Sequence, residues 1–448
     1  MSENAPKASD FDRRSFLRTS AATAAAAATA TAFGPARGAG VDPDQKLKVG
    51  FIGTGGRGSG AAIQALTADD NIELYAMADV FDETIERSLE NLNKNPAAEG
   101  KISVPPERRF TGLDGYKRVI DSGVDVVLLT TTPAFRPLHM RAAVEAGKHI
   151  FAEKPMAVDS WGYRHAMETL EMAKGQPISI VGGFCWRYSE SRRAAYQKVL
   201  EEGLIGEITS IYATYYAGHS KPHQELAART DGMSDIEWQL RNWYNYNWLG
   251  GGGYVEQACH SVDKVGWAMK DANPIACRAV GGLAAPQAAG DIFDHYHVAY
   301  EYPNNVWCHV ASRKAPGCFN ENADFVRGTE GTLVIGRGPA PYIEDNKGEV
   351  IWQYRNRSEP NMYQIEHDEL FASIRSGEHI NDGSWMMHST LMGVMGRMSA
   401  HTGREVTWDE AVNAEEELFP NLADLQWDQS FDTGGVRVPG VSEIPGIS

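Results

Sequence analysis

Residues 48–60 read KVGFIGTGGRGSG. Five of the last eight are glycine, and an apolar run stands before them. Residues 47–52, LKVGFI, are short, apolar and partly β-branched, which reads as a buried strand. GSGAAIQALTAD, which follows, has helical spacing. Gly53, Gly55 and Gly58 thus form G-x-G-x-x-G between a strand and a helix. In that context the pattern means phosphate rather than a flexible turn. Gly53 can take the tight turn, Gly55 lets backbone approach a pyrophosphate, and Gly58 lets the helix lie against the strand. Gly56 and Arg57 complete the loop, and the helix N-terminus turns N–H groups and its positive dipole end to the phosphates. Asp79 lies 21 residues beyond Gly58, at the end of the next apolar run, IELYAMADV. It is placed to accept from both ribose hydroxyls, which favours NAD. Arg57, beside the loop, could hold a 2′-phosphate and keeps NADP open.

Outward from this loop the alternation continues. DETIERSLENLNK reads as a helix, VDVVLLTTT (124–132) as a strand, RPLHMRAAVEAGKH as a helix, and IFAEKP (150–155) as a strand closed by Pro155. Alternating strands and helices imply a doubly wound parallel sheet covered on both faces. The pattern changes after about residue 180. ITSIYATYYAG (208–218) and HYHVAYEY (295–302) alternate with period two, and NNVWCHVASRK and EGTLVIGR read as further strands. The second half is therefore expected to be α+β, with a mostly antiparallel sheet and helices such as HDELFASIRSGE and HSTLMGVMGRMSAHTGREVTW near its end.

Length and composition bound the rest. The 448 residues call for about two or three domains, and 42% apolar with 23% charged residues is ordinary for a globular protein. The formal net charge of −17 repels nucleic acid and anionic membranes and points to a small-molecule partner. Five cysteines at irregular spacing, with no C-x-x-C, argue against a disulfide framework and leave room for one bridge. Arg13 and Arg14 precede Ser15-Phe16-Leu17-Arg18, an Ala/Thr run and small residues through Gly40. That order resembles a twin-arginine signal, a route for export of folded proteins to the periplasm or another extracytoplasmic space. The Ala/Thr run is too short and weakly apolar for a membrane span. The expected division is a signal at 1–40, a dinucleotide-binding domain at 46–155, a substrate-binding and oligomerisation domain at 156–427, and an extended tail at 428–448.

Specific motifs then accumulate. Thr132-Pro133, His139, the EAGKH turn and Glu153-Lys154-Pro155, with the glycine loop and GGGYVEQACHSVDKVGWAM (251–269), closely resemble the Gfo/Idh/MocA oxidoreductase family. The resemblance runs from about residue 46 to 410. It implies a Rossmann domain, then an α/β domain whose large open sheet covers the nicotinamide, and hydride transfer at a sugar or polyol carbon. Thr132, His139, Glu153 and Lys154 then border the cofactor. Lys154 corresponds to the family's active-site lysine, able to hydrogen-bond a reacting hydroxyl and stabilise alkoxide character. His260 corresponds to the general base, with an ordinary pKa near neutrality. Glu256 stands where many members carry Asp, and either contacts substrate or orients the imidazole.

On a regular helix Glu256, His260 and Asp263 share one face. That set, or Asp291, Asp294, His295 and His297, could be taken for a metal site. Three ligands on one helix rarely close a tetrahedron and the second group mixes strand faces, so no metal is expected. Arg187, Arg241, Trp243, Asp263 and His297 are expected to line the substrate pocket. The aromatic run Trp238–Trp248 reads equally as a carbohydrate wall or as packing.

The reading that follows is an exported NAD(P)-dependent sugar oxidoreductase. Dinucleotide is scarce outside the cytoplasm, so the cofactor is expected to travel bound, not to dissociate, and to alternate between two substrates. An NAD-dependent glycosidase working by transient oxidation and elimination is the alternative, and a non-catalytic sugar-binding protein a third. Homo-oligomer formation is expected through the open sheet.

Overall fold

In the computed structural model the described residues are 40–218, 229–285, 289–356 and 358–448. The expected export signal therefore lies outside them, apart from Gly40. The first apolar run forms β1 (Leu47–Ile52), and the chain continues as α1 (Gly56–Ala68), β2 (Ile72–Asp79), α2 (Asp82–Asn93), β3 (Arg109–Thr111), α3 (Gly115–Asp121), β4 (Val126–Leu129), α4 (Arg136–Glu145), β5 (His149–Ala152), α5 (Ser160–Ala173) and β6 (Ile180–Gly182). The six strands pair in parallel in the order β3-β2-β1-β4-β5-β6. The order reverses between β1 and β4, and both the glycine loop and the end of β5 open on that side, at the carboxyl ends of the strands. β6 carries this sheet past the expected boundary at residue 155. That strand is only three residues long, too short to show a period in the sequence.

The second half supplies α6 (Glu190–Leu200), β7 (Ile208–Ala217), α7 (Asp235–Arg241), α8 (Asn247–Gly250), a π-helical turn at Tyr254–Ala258, α9 (Cys259–Ala268), and strands β8 (Ala276–Gly282), β9 (His295–Tyr302), β10 (Val306–Lys314), β11 (Asp324–Gly328), β12 (Gly331–Ile335), β13 (Tyr342–Asp345) and β14 (Val350–Gln353). It ends with α10 (Met362–Ser376), α11 (Gly383–Thr402), β15 (Val406–Thr407) and α12 (Trp408–Asn413). Nine strands make one sheet, β14-β13-β12-β11-β7-β10-β9-β8-β15, antiparallel except where β10 runs parallel to β7. Period two holds as read. Along β9, Tyr296, Val298, Tyr300 and Tyr302 are buried, while His295 and His297 are exposed on the other face. The buried face packs on the helices: Tyr300 donates to the Met392 carbonyl of α11 at 2.7 Å, and its hydroxyl lies 3.0 Å from that of Tyr254.

Both sheets lie in one compact unit. α10 returns from the second half to α1: Leu370, Phe371 and Ile374 join the apolar cluster of Ala61, Ala65 and Leu66. The segment from Asp428 has neither helix nor strand, yet it is held. Phe431 packs on Phe419 and Trp248 with ring centroids 4.4 and 5.7 Å apart, and Ile444 and Ile447 are buried. All five cysteines are free thiols, four of them buried.

Candidate active site

The glycine loop is shaped by contact. Gly53 has φ +92°, and a Cβ there would meet the Thr131 nitrogen at 2.4 Å. A Cβ on Gly58 would meet the Gly53 carbonyl at 2.3 Å, whereas Gly55 and Gly56 face open space. Gly55 caps α1 with no side-chain hydrogen bond, so the first N–H groups of the helix are free for an anion. Asp79, at the end of β2, accepts from the Thr54 nitrogen at 2.7 Å and from the Phe81 nitrogen at 3.2 Å. Burial raises its pKa, and those two bonds oppose the rise. A small cavity beside Asp79 is lined by Tyr116, Phe135 and His139 among others. His139 stacks on Tyr116 at 4.1 Å, and burial, then Arg136, push its pKa down to about 3. It is a neutral wall. Thr132 lies at the end of β4, its hydroxyl buried with no partner. An open Cβ-free cradle, an uncapped helix start and a ribose-height carboxylate together fit a dinucleotide.

Arg57 does not face Asp79. Its guanidinium bonds Glu153 and lies 3.3 Å from Glu366 of α10, with the Tyr363 ring 4.6 Å away. The group expected to meet a 2′-phosphate is thus held by two carboxylates. Burial, then Glu153, raise the pKa of Glu366 well above the carboxylate range.

Glu153 and Lys154 follow β5, and the Lys154–Pro155 peptide is cis. Arg136, buried on α4, donates to the carbonyls of Pro155 and Thr131 and so fixes the loop on both sides. Lys154 Nζ donates twice to one residue, to the Glu256 carbonyl and to Glu256 Oε1 at 3.1 Å. Burial is the largest influence and opposes the ammonium, but Glu256, Cys259, Tyr244 and Glu153 together outweigh it and hold the Lys154 pKa well above the usual lysine range. Burial likewise opposes the carboxylate of Glu256. Lys154 and then a hydrogen bond from Tyr244 prevail and keep its pKa low.

Glu256 sits in the π-helical turn, where backbone carbonyls lose regular partners, which explains why its carbonyl is available to a lysine. The turn also breaks the expected common face. Glu256 points to Lys154, whereas Asp263, 1% exposed, accepts from Arg187 Nε at 2.8 Å and from the Ser389 hydroxyl at 2.7 Å. His260 lies between them on α9. Its ring stacks on Trp186 at 6.0 Å, and its Nδ1 is buried without a partner. Burial, then the Lys154 charge, push its pKa well below the usual histidine value, so the imidazole is neutral.

The residues expected to line the substrate pocket separate. Arg187 is a structural knot: it also binds Asp271 at 2.6 Å and stacks over Trp385. Arg241 binds Glu83 and Glu237 and covers Phe81, beside the β2–α2 turn. His297 is on the exposed sheet face, its ring 5.4 Å from that of His309. Trp243 packs on Tyr244 at 4.4 Å. Only Trp243, through Tyr244, stands next to Lys154 and Glu256. Tyr244 bonds Glu256 Oε2, and Gln257 donates to Tyr244. Lys314, on the buried face at the end of β10, donates to Gln257 Oε1 at 2.7 Å. Burial lowers its pKa to about 8. Gln257 lies within the GGGYVEQACH stretch, where no role is expected of it, and Lys314 carries no motif. The inward parity of Lys314 along β10 was the one signal that could have found it. Among the described residues no group of three or more His, Cys, Asp or Glu could hold a metal.

A family model described as an oxidoreductase family with NAD-binding Rossmann fold matches residues 47–181, and one described as the GFO/IDH/MocA C-terminal domain matches 194–334. An inositol 2-dehydrogenase of Pseudomonas savastanoi pv. phaseolicola is 27% identical over 209 residues, 47% of this chain and 56% of that protein. A glycosyl hydrolase family 109 protein of Solibacter usitatus is 26% identical over 179 residues, 40% of this chain and 39% of that protein. The matches span about half the length of such curated relatives. The solved structure of a levoglucosan dehydrogenase, in complex with NADH and levoglucosan, shares the fold with a TM-score of 0.62 at 20% identity, over 81% of this chain and 99% of that one. With both halves matched, on a parallel six-stranded sheet followed by a mixed nine-stranded one, the chain belongs to the Gfo/Idh/MocA oxidoreductase family.

Proposed function

We propose that the protein is an NAD-dependent oxidoreductase acting at a hydroxyl-bearing carbon of a sugar or sugar derivative. The observation that carries this reading is the Lys154 ammonium, pinned by Glu256 at the end of β5 beside a neutral His260. An ammonium has three donors, and Glu256 takes two. The third is left for the substrate oxygen, where it stabilises alkoxide character. His260 accepts the hydroxyl proton, and because its Nδ1 is sealed from solvent, Nε2 is the atom that meets it. With its pyrophosphate on the glycine loop, a dinucleotide would supply the hydride acceptor or donor. Asp79 favours NAD over NADP, since a carboxylate at ribose height repels a 2′-phosphate and Arg57 is engaged elsewhere.

The same reading includes export in folded form by the twin-arginine route, a cofactor retained through turnover, and pairing of copies through the exposed face of the nine-stranded sheet, where Val280 is 69% exposed. A second reading, an NAD-dependent glycosidase, is favoured by the similarity to the glycosyl hydrolase family 109 protein. An absorbance scan of the purified protein in the reduced-nicotinamide band, with sugars added one at a time, tests the first reading. A sugar that raises the band without added cofactor supports it. Protein that is free of dinucleotide and inert to every sugar with NAD added counts against it. Cleavage of aryl glycosides with no external oxidant would select the second.

A further inference from the structure

Five side chains form a chain of hydrogen bonds whose direction is fixed at both ends. Lys154 and Lys314 can only donate. Lys314 donates to Gln257 Oε1 at 2.7 Å, and the Tyr215 hydroxyl donates to the same oxygen at 3.0 Å, which fixes the orientation of the amide. Gln257 Nε2 must then donate to the Tyr244 oxygen. With that lone pair used, the Tyr244 O–H points at Glu256 Oε2, which as a carboxylate oxygen only accepts. Glu256 Oε1 is left for Lys154.

We propose that Tyr244 and Gln257 are positioning residues that hold the Glu256 carboxylate on the Lys154 ammonium. The inference rests on the hydride-transfer reading for its consequence, though not for its geometry. Glutamate has one more rotatable bond than aspartate, so its carboxylate needs a second anchor to stay in one place. Tyr244 comes from the aromatic segment that precedes the glycine turn, and Gln257 from the π-helical turn itself. The brace thereby ties the substrate-side segment to the strand end that carries the lysine. Without it Glu256 can swing away, and the lysine loses the partner that keeps it charged and aimed. Other groups face the pair: Glu153, Cys259, Tyr215 and Lys314 act on Lys154, Lys154 in turn acts on His260, and Arg136 feels Glu256. Of these, Cys259 donates through Sγ to the Glu256 main-chain carbonyl at 3.2 Å, not to the carboxylate that Tyr244 holds.

The test follows the lysine directly. The full-length protein is labelled with carbon-13 and nitrogen-15 lysine, the Lys154 signal is assigned through Lys154→Arg, and its titration is followed by NMR at Cε and Nζ. In Tyr244→Phe the Lys154 ammonium should become about tenfold more acidic. With the sugar identified by the absorbance screen, kcat should fall roughly tenfold or more while KM changes little. Gln257→Met, which removes the amide but keeps the length, should move the same titration in the same direction, and it serves if Tyr244→Phe fails to fold. A Lys154 titration unchanged in both variants would overturn the proposal. If no sugar is turned over by the unsubstituted protein, the functional reading fails, and the titration still decides the brace.

Discussion

At the scale of single residues, Lys154 is the group on which the proposed chemistry depends. Lys154→Ala removes a preorganised donor at the reacting oxygen, which typically costs about 10²–10³ in kcat. Dinucleotide affinity should change little, because the proposed phosphate cradle at Gly55–Arg57 and the ribose acceptor Asp79 are left intact. Stopped-flow turnover beside fluorescence titration of NADH separates the two. Asp79→Asn should act the other way, weakening NAD binding by about tenfold, narrowing the gap to NADP and leaving kcat for bound cofactor close to normal. Lys154, Asp79 and the glycines were legible because short motifs carry them, and each motif has a backbone reason that the structure shows. Arg187 and Asp263, expected along the substrate pocket, form an ion pair at 2.8 Å. Charged residues near a motif suggest a ligand, whereas these two are buried and paired, Arg187 also with Asp271, while Asp263 Oδ2 is left without a partner. Gln257 and Tyr244 stand in stretches that the sequence singles out, but their bond to each other and to Glu256 could not be read, because side-chain hydrogen bonds leave no periodic pattern.

At the scale of elements, the decisive departure from the sequence reading is the π-helical turn. Spacing of i and i+4 predicts a shared face only on a regular helix, and one extra residue in the turn separates Glu256 from Asp263. The long strands were legible through period two or through continuous apolar character. β3, β6 and β15, at two or three residues each, have no period to read. α9 is anchored to β11 by Lys264 and Asp324, 2.5 Å apart and both 1% exposed. Lys264→Met alone strands a buried carboxylate, and should cost about 3–5 kcal/mol in urea unfolding. Adding Asp324→Leu should recover most of that loss, since removing both charges leaves neither to desolvate. Equal destabilisation by the single and the double variants would mean that packing rather than charge governs this contact.

At the scale of the whole molecule, stability should depend on pH through buried imidazoles. Burial drives the pKa of His149 and His388 down to about 4 and that of His139 to about 3, and holds His367 and His401 well below the usual value. In the unfolded chain each titrates near 6.5. As pH falls from about 6.5 toward 4, the unfolded chain binds protons that the folded one refuses, so stability is lost on the acid side. For His388 the loss is on the order of 3 kcal/mol by pH 4. Buried carboxyls oppose it, among them Asp79, Asp263 and Asp324, which burial also raises. Asp159, Asp291 and Asp382 are raised to about 6 by burial, and each costs stability as pH rises from its unfolded value to about 6. Glu366 adds to that side. With His165, His260, His309 and His379 also depressed, the imidazoles outnumber the raised carboxyls, and Glu256, held low in the fold, adds to their side. The net slope should therefore be positive, with the urea midpoint falling between pH 6.5 and 4.5. His388→Gln can still donate to the Ala272 carbonyl, which His388 meets through Nε2 at 3.1 Å, but cannot take up the proton. It should flatten the slope by its own share, and a midpoint that rose on acidification would show the carboxyls to dominate.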